Sequence, residues 1–332
     1  MKKAVKISMI VAGCLMGTGL IFGLIGMTLI GFDFGNIDDP KFQKVTKIID
    51  KNENVDKLDR IMIYTISDDI EYKVSEDETL KIDYYASDKI VYDIDIFDDS
   101  NWHSHEYEEE ENEDETSEVS DNIKNNEDDE SPTGISYGIW IRQDDERKWY
   151  EKIGIHPFSW KYHKLTVYLP KEDYKEIYAE TISGDITLKT KLNVSEDSYL
   201  SATSGDIIAE NISSDEHLNI STVSGDIMLK NIHSDKDSDI FTTSGDITLK
   251  NISTNGLLDI STTSGDITAE YISANDFSIT TVSGDINASL PEGLDYHTKT
   301  TSGDIDIPKS VKGGKKCTLS TVSGDINVEE RE

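Results

Sequence analysis

Ser183-Gly184-Asp185-Ile186 opens a series. The same tetrapeptide begins again at Ser204, Ser224, Ser244, Ser264, Ser283, Ser302 and Ser323, at spacings of 21, 20, 20, 20, 19, 19 and 21 residues. Eight copies at a period near 20 mean a repeat architecture, which outranks any local propensity. The flanks say which kind. Four residues before each Ser stand Ala179, Leu200, Ile220, Ile240, Ile260, Ile279, Thr298 and Leu319. Two before it, seven of the eight are Thr and the other is Ala202. Two after each Ile come Leu188, Ala209, Leu229, Leu249, Ala269, Ala288, Ile307 and Val328. Apolar residues alternating with Thr and Ser around Gly-Asp read as strand, turn, strand.

The unit is too short for a propeller blade and too long for a six-residue rung. The expected fold is therefore all-β: a β-solenoid with one coil of about 20 residues per repeat. With identical positions stacked along the axis at about 4.8 Å, eight coils would make a rod near 38 Å long. The invariant Ile and its partner two residues on should fill the interior, with Ile212, Ile232, Ile252 and Ile272 on a further inner face. Strands are also expected over 58–64, 80–86, 90–97, 135–142 and 164–169. Ser67-Asp68-Asp69-Ile70, with Ile63 and Thr65 ahead of it, reads as a degenerate early coil in which Asp replaces Gly. Asp is among the few residues besides Gly that tolerate a left-handed backbone.

Together with Leu165-Thr166-Val167-Tyr168-Leu169-Pro170, the eight copies resemble the bacterial putative-adhesin domain family. The resemblance runs from about residue 55 to the C-terminus and implies an envelope-anchored β-solenoid. By its name it implies adhesion. Some members sit among accessory proteins of cell-envelope stress responses in Gram-positive bacteria, which is the alternative role. The long acidic stretch at 98–132 departs from the family pattern.

The chain of 332 residues carries 32 Lys+Arg against 66 Asp+Glu, a net charge of −34. That balance argues against nucleic acid, whose phosphates are bound through clustered Lys and Arg. Two cysteines, Cys14 and Cys317, cannot form a disulfide framework or a Cys-based zinc site.

Charge also divides the chain. Ile7 to Phe32 holds no charged residue, and Lys2, Lys3 and Lys6 precede it. About 20 apolar residues cross a bilayer as a helix, so 7–32 is expected to span the membrane. The lysines leave residues 1–6 as a cytoplasmic stub and place the rest outside the cell. Val11-Ala12-Gly13-Cys14 offers lipoprotein anchoring at Cys14 as the alternative. Residues 33–54 would be a juxtamembrane linker, 55–97 a first β region, 133–178 a second one, and 179–332 the repeat array. Between the two β regions, Asp98 to Glu130 holds sixteen acidic residues and one Lys, −15 of the −34. Such a stretch lacks the apolar residues to pack and is expected to project from the body.

Chemistry is sparse in this pattern. The glycines of the repeat, Gly184, Gly205, Gly225, Gly245, Gly265, Gly284, Gly303 and Gly324, are expected to supply positive φ at structural turns. Beside them Asp206, Asp226, Asp246, Asp266 and Asp285 should cap N–H groups of their own turns. Calcium on this carboxylate ladder is the alternative, since calcium takes oxygen ligands. Yet the calcium β-roll repeats every nine residues with more glycine. His103 and His105 lie among carboxylates and offer a second candidate metal site. No Ser-His-Asp set, phosphate loop or unequal carboxylate pair stands out, so no enzyme and no cofactor are expected. The expected role is a surface module binding an envelope polymer or a membrane-protein partner through many equivalent contacts.

Overall fold

The computed structural model describes residues 41–49, 57–98, 137–146 and 162–331. The expected cytoplasmic stub, membrane helix and Cys14 lie outside these residues. So do nearly all of the acidic stretch and both His103 and His105. Phe42–Glu332 form one compact unit.

That unit is all-β. Two sheets of 14 and 11 strands run side by side along one axis, and each repeat contributes a strand to both. The Ser244 rung is typical. Ser238–Thr242 lies in the smaller sheet, the Ser-Gly-Asp turn follows, and Ile247–Thr254 lies in the larger. Neighbouring rungs pair in parallel with identical positions facing: Ile227↔Ile247↔Ile267 on one side, Ile220↔Ile240↔Ile260 on the other. These six isoleucines are at most 1% exposed. Each contributes about 1.5–3 kcal/mol by leaving water, but only because a neighbouring rung covers it.

A corner breaks the alternation in the larger sheet. Asn211, Asn231 and Asn251 take φ of 63°, 55° and 57°, a left-handed conformation Asn tolerates. Two successive residues, such as Lys250 and Asn251, then face outward, and Ile252 returns to the core at 1% exposure. The corner asparagines bond one another along the axis, Asn231 Nδ2 to Asn211 Oδ1 and Asn251 Nδ2 to Asn231 Oδ1, both at 2.9 Å.

The degenerate copy at Ser67 forms a rung. Leu58–Thr65 and Asp69–Val74 pair in parallel with Glu176–Thr181 and Ile186–Leu188, Ile63 facing Ala179 and Ile70 facing Ile186. Beyond it stand Tyr137–Asp145 and Lys164–Leu169. Antiparallel strands close this end: Leu80–Ala86 and then Gln43–Ile49 on the larger sheet, Ile90–Asp98 on the smaller. Gln43–Ile49 lies within the stretch expected to be a linker, and it lines the outer edge because Ile49 is buried there.

The rungs stack with identical positions facing, but not in chain order throughout. The Ser323 rung lies between those of Ser283 and Ser302, so Phe277 pairs with Cys317 and Cys317 with Tyr296. At the other end the Ser67 rung lies between 137–169 and the Ser183 rung. The physical reason at the C-terminal end is a lapse in the pattern. After Ile307 come Pro308, Lys309 and Ser310, where the Ser204, Ser224 and Ser244 rungs place Lys or Glu, the corner Asn and the returning Ile. The Ser302 rung therefore cannot complete its coil. Its chain turns back, Val311 N–H donating to Leu294 C=O at 2.8 Å, and the Ser323 rung fills the inner position. Ile305, now on the terminal rung, is 42% exposed where its equivalents are buried.

Candidate binding face

The repeat motif is a stacking device. Glycine is required for closeness, and seven of the eight motif glycines have no positive φ (Gly324 has φ of +158°), which corrects the expected reason. Gly245 has no left-handed backbone, but a Cβ on it would stand 1.9 Å from the carbonyl oxygen of Gly225. The same approach recurs at Gly184, Gly205, Gly225, Gly265, Gly284, Gly303 and Gly324, each against the adjacent rung's backbone. Each approached glycine carbonyl needs a donor, and the Thr column supplies it. Thr222, Thr242, Thr262 and Thr281 donate to Gly205, Gly225, Gly245 and Gly265 at 2.9–3.1 Å.

The aspartates work between rungs, not within their own turns, a second correction. Oδ1 of Asp185, Asp206, Asp226, Asp246, Asp266 and Asp285 accepts the N–H of Asp206, Asp226, Asp246, Asp266, Asp285 and Asp325, each at 2.8 Å. Their charge repulsion, about 1 kcal/mol in water at this spacing, is offset by hydrogen bonds to charged acceptors worth about 1.5–3 kcal/mol. Among the described residues, no three His, Cys, Asp or Glu side chains gather as a metal site.

The same geometry explains Asp68. It occupies the glycine position of the Ser67 rung without positive φ, and a side chain is tolerated there because no Ser-Gly-Asp rung packs beneath it. Its carboxylate, 1% exposed, takes Nε2 of Gln143 at 2.9 Å and the hydroxyl of Tyr92. Ser67 Oγ and Asp68 Oδ1 both approach Nδ1 of His163, at 3.2 and 3.4 Å. One ring nitrogen serves both, so this histidine does not bridge a serine to a carboxylate as a proton relay does. Cys317 is fully buried, and burial pushes its thiol up to about 12.

Sequence reasoning missed the most distinctive surface. On the outer side of the smaller sheet, Trp140, Tyr64, Tyr178 and Tyr199 stack in one run, with centroids 4.8, 4.9 and 4.7 Å apart. The rings are half-buried. Tyr178 donates to Oε2 of Glu180 at 2.5 Å, and burial with this bond keeps its phenol protonated far above the usual range. Tyr199 is the last ring. The positions facing it in successive rungs are Asn219, Asp239 and Asp259, with no ring among them. Burial, then the neighbouring Asp259 and Asp237, raises the Asp239 carboxyl above its ordinary value. The row in register runs Trp140, Met62, Tyr178, Tyr199, Asn219, Asp239 and Asp259, and the ring of Tyr64, two positions along from Met62, completes the stack between Trp140 and Tyr178. The only signal in the sequence was Tyr178 and Tyr199, both five before their Ser; Tyr64 and Trp140 lie in irregular rungs.

The model of the Toastrack DUF4097 family matches residues 93–329. The chain belongs to this family. The Toastrack match includes every Ser-Gly-Asp-Ile copy and begins at Asp93, on the strand that leads into the acidic stretch. Among solved structures, the chain is similar to a putative adhesin from Bacteroides fragilis. That pair is 14% identical over 86% of this chain and 97% of the other, with a TM-score of 0.44. A putative cell adhesion protein from Clostridium sporogenes is 13% identical over 88% and 100%, with a TM-score of 0.28. No curated protein matches the sequence.

Proposed function

We propose that this Toastrack protein is a surface module, anchored through residues 7–32, that holds a glycan of the cell envelope against the outer side of its smaller sheet. The observation that carries this reading is the row from Tyr199 to Asp259. One face of Tyr199 stacks on Tyr178, and the position facing it in the next rung is the short Asn219. A sugar ring offers apolar C–H groups to an aromatic face and hydroxyls to amides and carboxylates. Rungs about 4.8 Å apart repeat such contacts along a chain of sugars, so individually weak contacts add up.

Full-length protein in detergent tests this with purified wall glycan in co-sedimentation and with soluble oligosaccharides in calorimetry. Binding should lengthen in residence with oligosaccharide length and fall at least about tenfold in Tyr199→Ala, the loss of one hot-spot ring. Equal binding by wild type and by Tyr199→Ala with Asp239→Asn would refute the glycan reading.

A further inference from the structure

The two ends of the solenoid are unlike. One is closed by antiparallel strands. The other ends on the Ser302 rung, whose strands Leu294–Lys299 and Ile305–Asp306 are the last of their sheets. Among the described residues, the segment after Ile307 is what covers it. Val311 N–H donates to Leu294 C=O, Ser310 Oγ takes the N–H of Tyr296 at 2.9 Å, and Asp295 accepts from Ser310 and Gly313. This strap reaches the first half of the edge strand and leaves Ile305 and Val311 42% and 47% exposed.

Its charge is opposite to that of the molecule. Residues 307–316 hold Lys309, Lys312, Lys315 and Lys316 and no acid, in a chain of net charge −34. All four are exposed residues. Lys309 and Lys312 lie on the strap itself, while Lys315 and Lys316 open the adjoining inner strand, Lys316 facing Asp295. Lysines at a sheet edge discourage pairing with another neutral strand and repel a basic one. They attract an acidic one.

We propose that this strapped end docks the acidic stretch Asp98 to Glu130 of a second copy of the chain. The stretch carries a net −15, the largest concentration of complementary charge available in the protein. It leaves the body from Ile90–Asp98 and returns at Tyr137–Asp145, at the opposite end of the smaller sheet. Ten and nine strand steps, about 48 and 43 Å, separate those two strands from Leu294–Lys299. To reach its own strap, the 38-residue connection 99–136 would go out and back at about three-quarters of full extension throughout. A neighbouring molecule meets no such constraint, so the contact joins the acidic end of one copy to the basic end of another. This inference does not depend on the glycan reading.

Complementation tests it. One variant carries Lys309→Glu and Lys312→Glu; a second replaces 98–130 with a Gly-Ser segment of equal length. Full-length proteins in detergent are compared by sedimentation velocity. Wild type should self-associate at low salt, with affinity falling at least about tenfold as added salt shortens the screening length from about 10 Å to about 3 Å. Each variant alone should remain monomeric, with its melting temperature showing that it is folded. A mixture of the two should associate, because one supplies the acid and the other the base. A mixture that stays monomeric, or either variant alone associating like wild type, would overturn the proposal, as would a monomeric wild type at low salt.

Discussion

The hydroxyl of Thr242 donates to the carbonyl of Gly225 at 3.0 Å, across rungs. The same carbonyl oxygen lies 1.9 Å from where a Cβ on Gly245 would sit. Two positions three apart in the repeat thus depend on each other. Thr satisfies the acceptor that the glycine approaches too closely for any side chain. A buried acceptor without that donor costs about 1–3 kcal/mol, which accounts for the Thr column.

Gly245→Ala should therefore lower stability by about 3 kcal/mol, since a Cβ would meet unyielding backbone on the Gly225 rung. Gly313→Ala is the control. Nothing lies within 4 Å of a Cβ there, and only its φ of +82° carries a cost of about 1–2 kcal/mol. Urea denaturation ranks the two; equal losses would contradict the close-stacking account.

Ala202 interrupts the Thr column and has no hydroxyl to offer Gly184. It faces Thr181 and Thr222 in register, both buried. Ala202→Thr should gain about 0.5–1.5 kcal/mol from the added hydrogen bond, seen as a raised melting temperature. A loss of stability would mean that this rung is more tightly packed than its neighbours.

Asp246 keeps its bond to the N–H of Asp266 if replaced by Asn, whose side-chain oxygen also accepts. Asp246→Asn should thus be neutral or mildly stabilising, with one charge removed from the ladder. Asp246→Ala should cost about 1 kcal/mol or more. Calcium should raise the melting temperature no more than magnesium at equal ionic strength, and EDTA should not lower it. A calcium-specific rise abolished by Asp246→Asn would instead make the ladder a metal site.

Asp239 gives a pH signature. Its folded pKa is raised by burial and by Asp259 and Asp237. A carboxyl with a raised folded pKa binds its proton more readily when folded, so stability falls as pH rises through that window. Ionised Asp239 is then a cost at neutral pH. Asp239→Asn should raise the melting temperature at pH 7, by an amount that shrinks as pH falls below the carboxylate range. A difference independent of pH would assign the effect to packing.

Much of this was legible in the sequence. Ile186, Ile207, Ile227, Ile247 and Ile267 are inside because a period-2 pattern with β-branched residues has one apolar face, and that face recurs every turn. The extra inner position at Ile252 was also visible, though the Asn251 corner that creates it was not read. Asp68 as a rung turn was read correctly in place and wrongly in cause. It depends on what lies beneath it, the cap residues Gln143 and Tyr92, which are 75 and 24 positions away in the chain.

A repeat establishes which residues are equivalent: by itself this sequence determined the coil, its period, its inner columns and the identity of the turn. It does not establish which equivalent rung is the neighbour, because identical edges pair equally well with any copy. Only the tertiary structure placed the Ser323 rung between Ser283 and Ser302, and the Ser67 rung between 137–169 and Ser183. That order follows from where the coil pattern lapses and what closes each end. The stack of Trp140, Tyr64, Tyr178 and Tyr199 was likewise decided there, since ring contact is set by rung adjacency and not by distance along the chain.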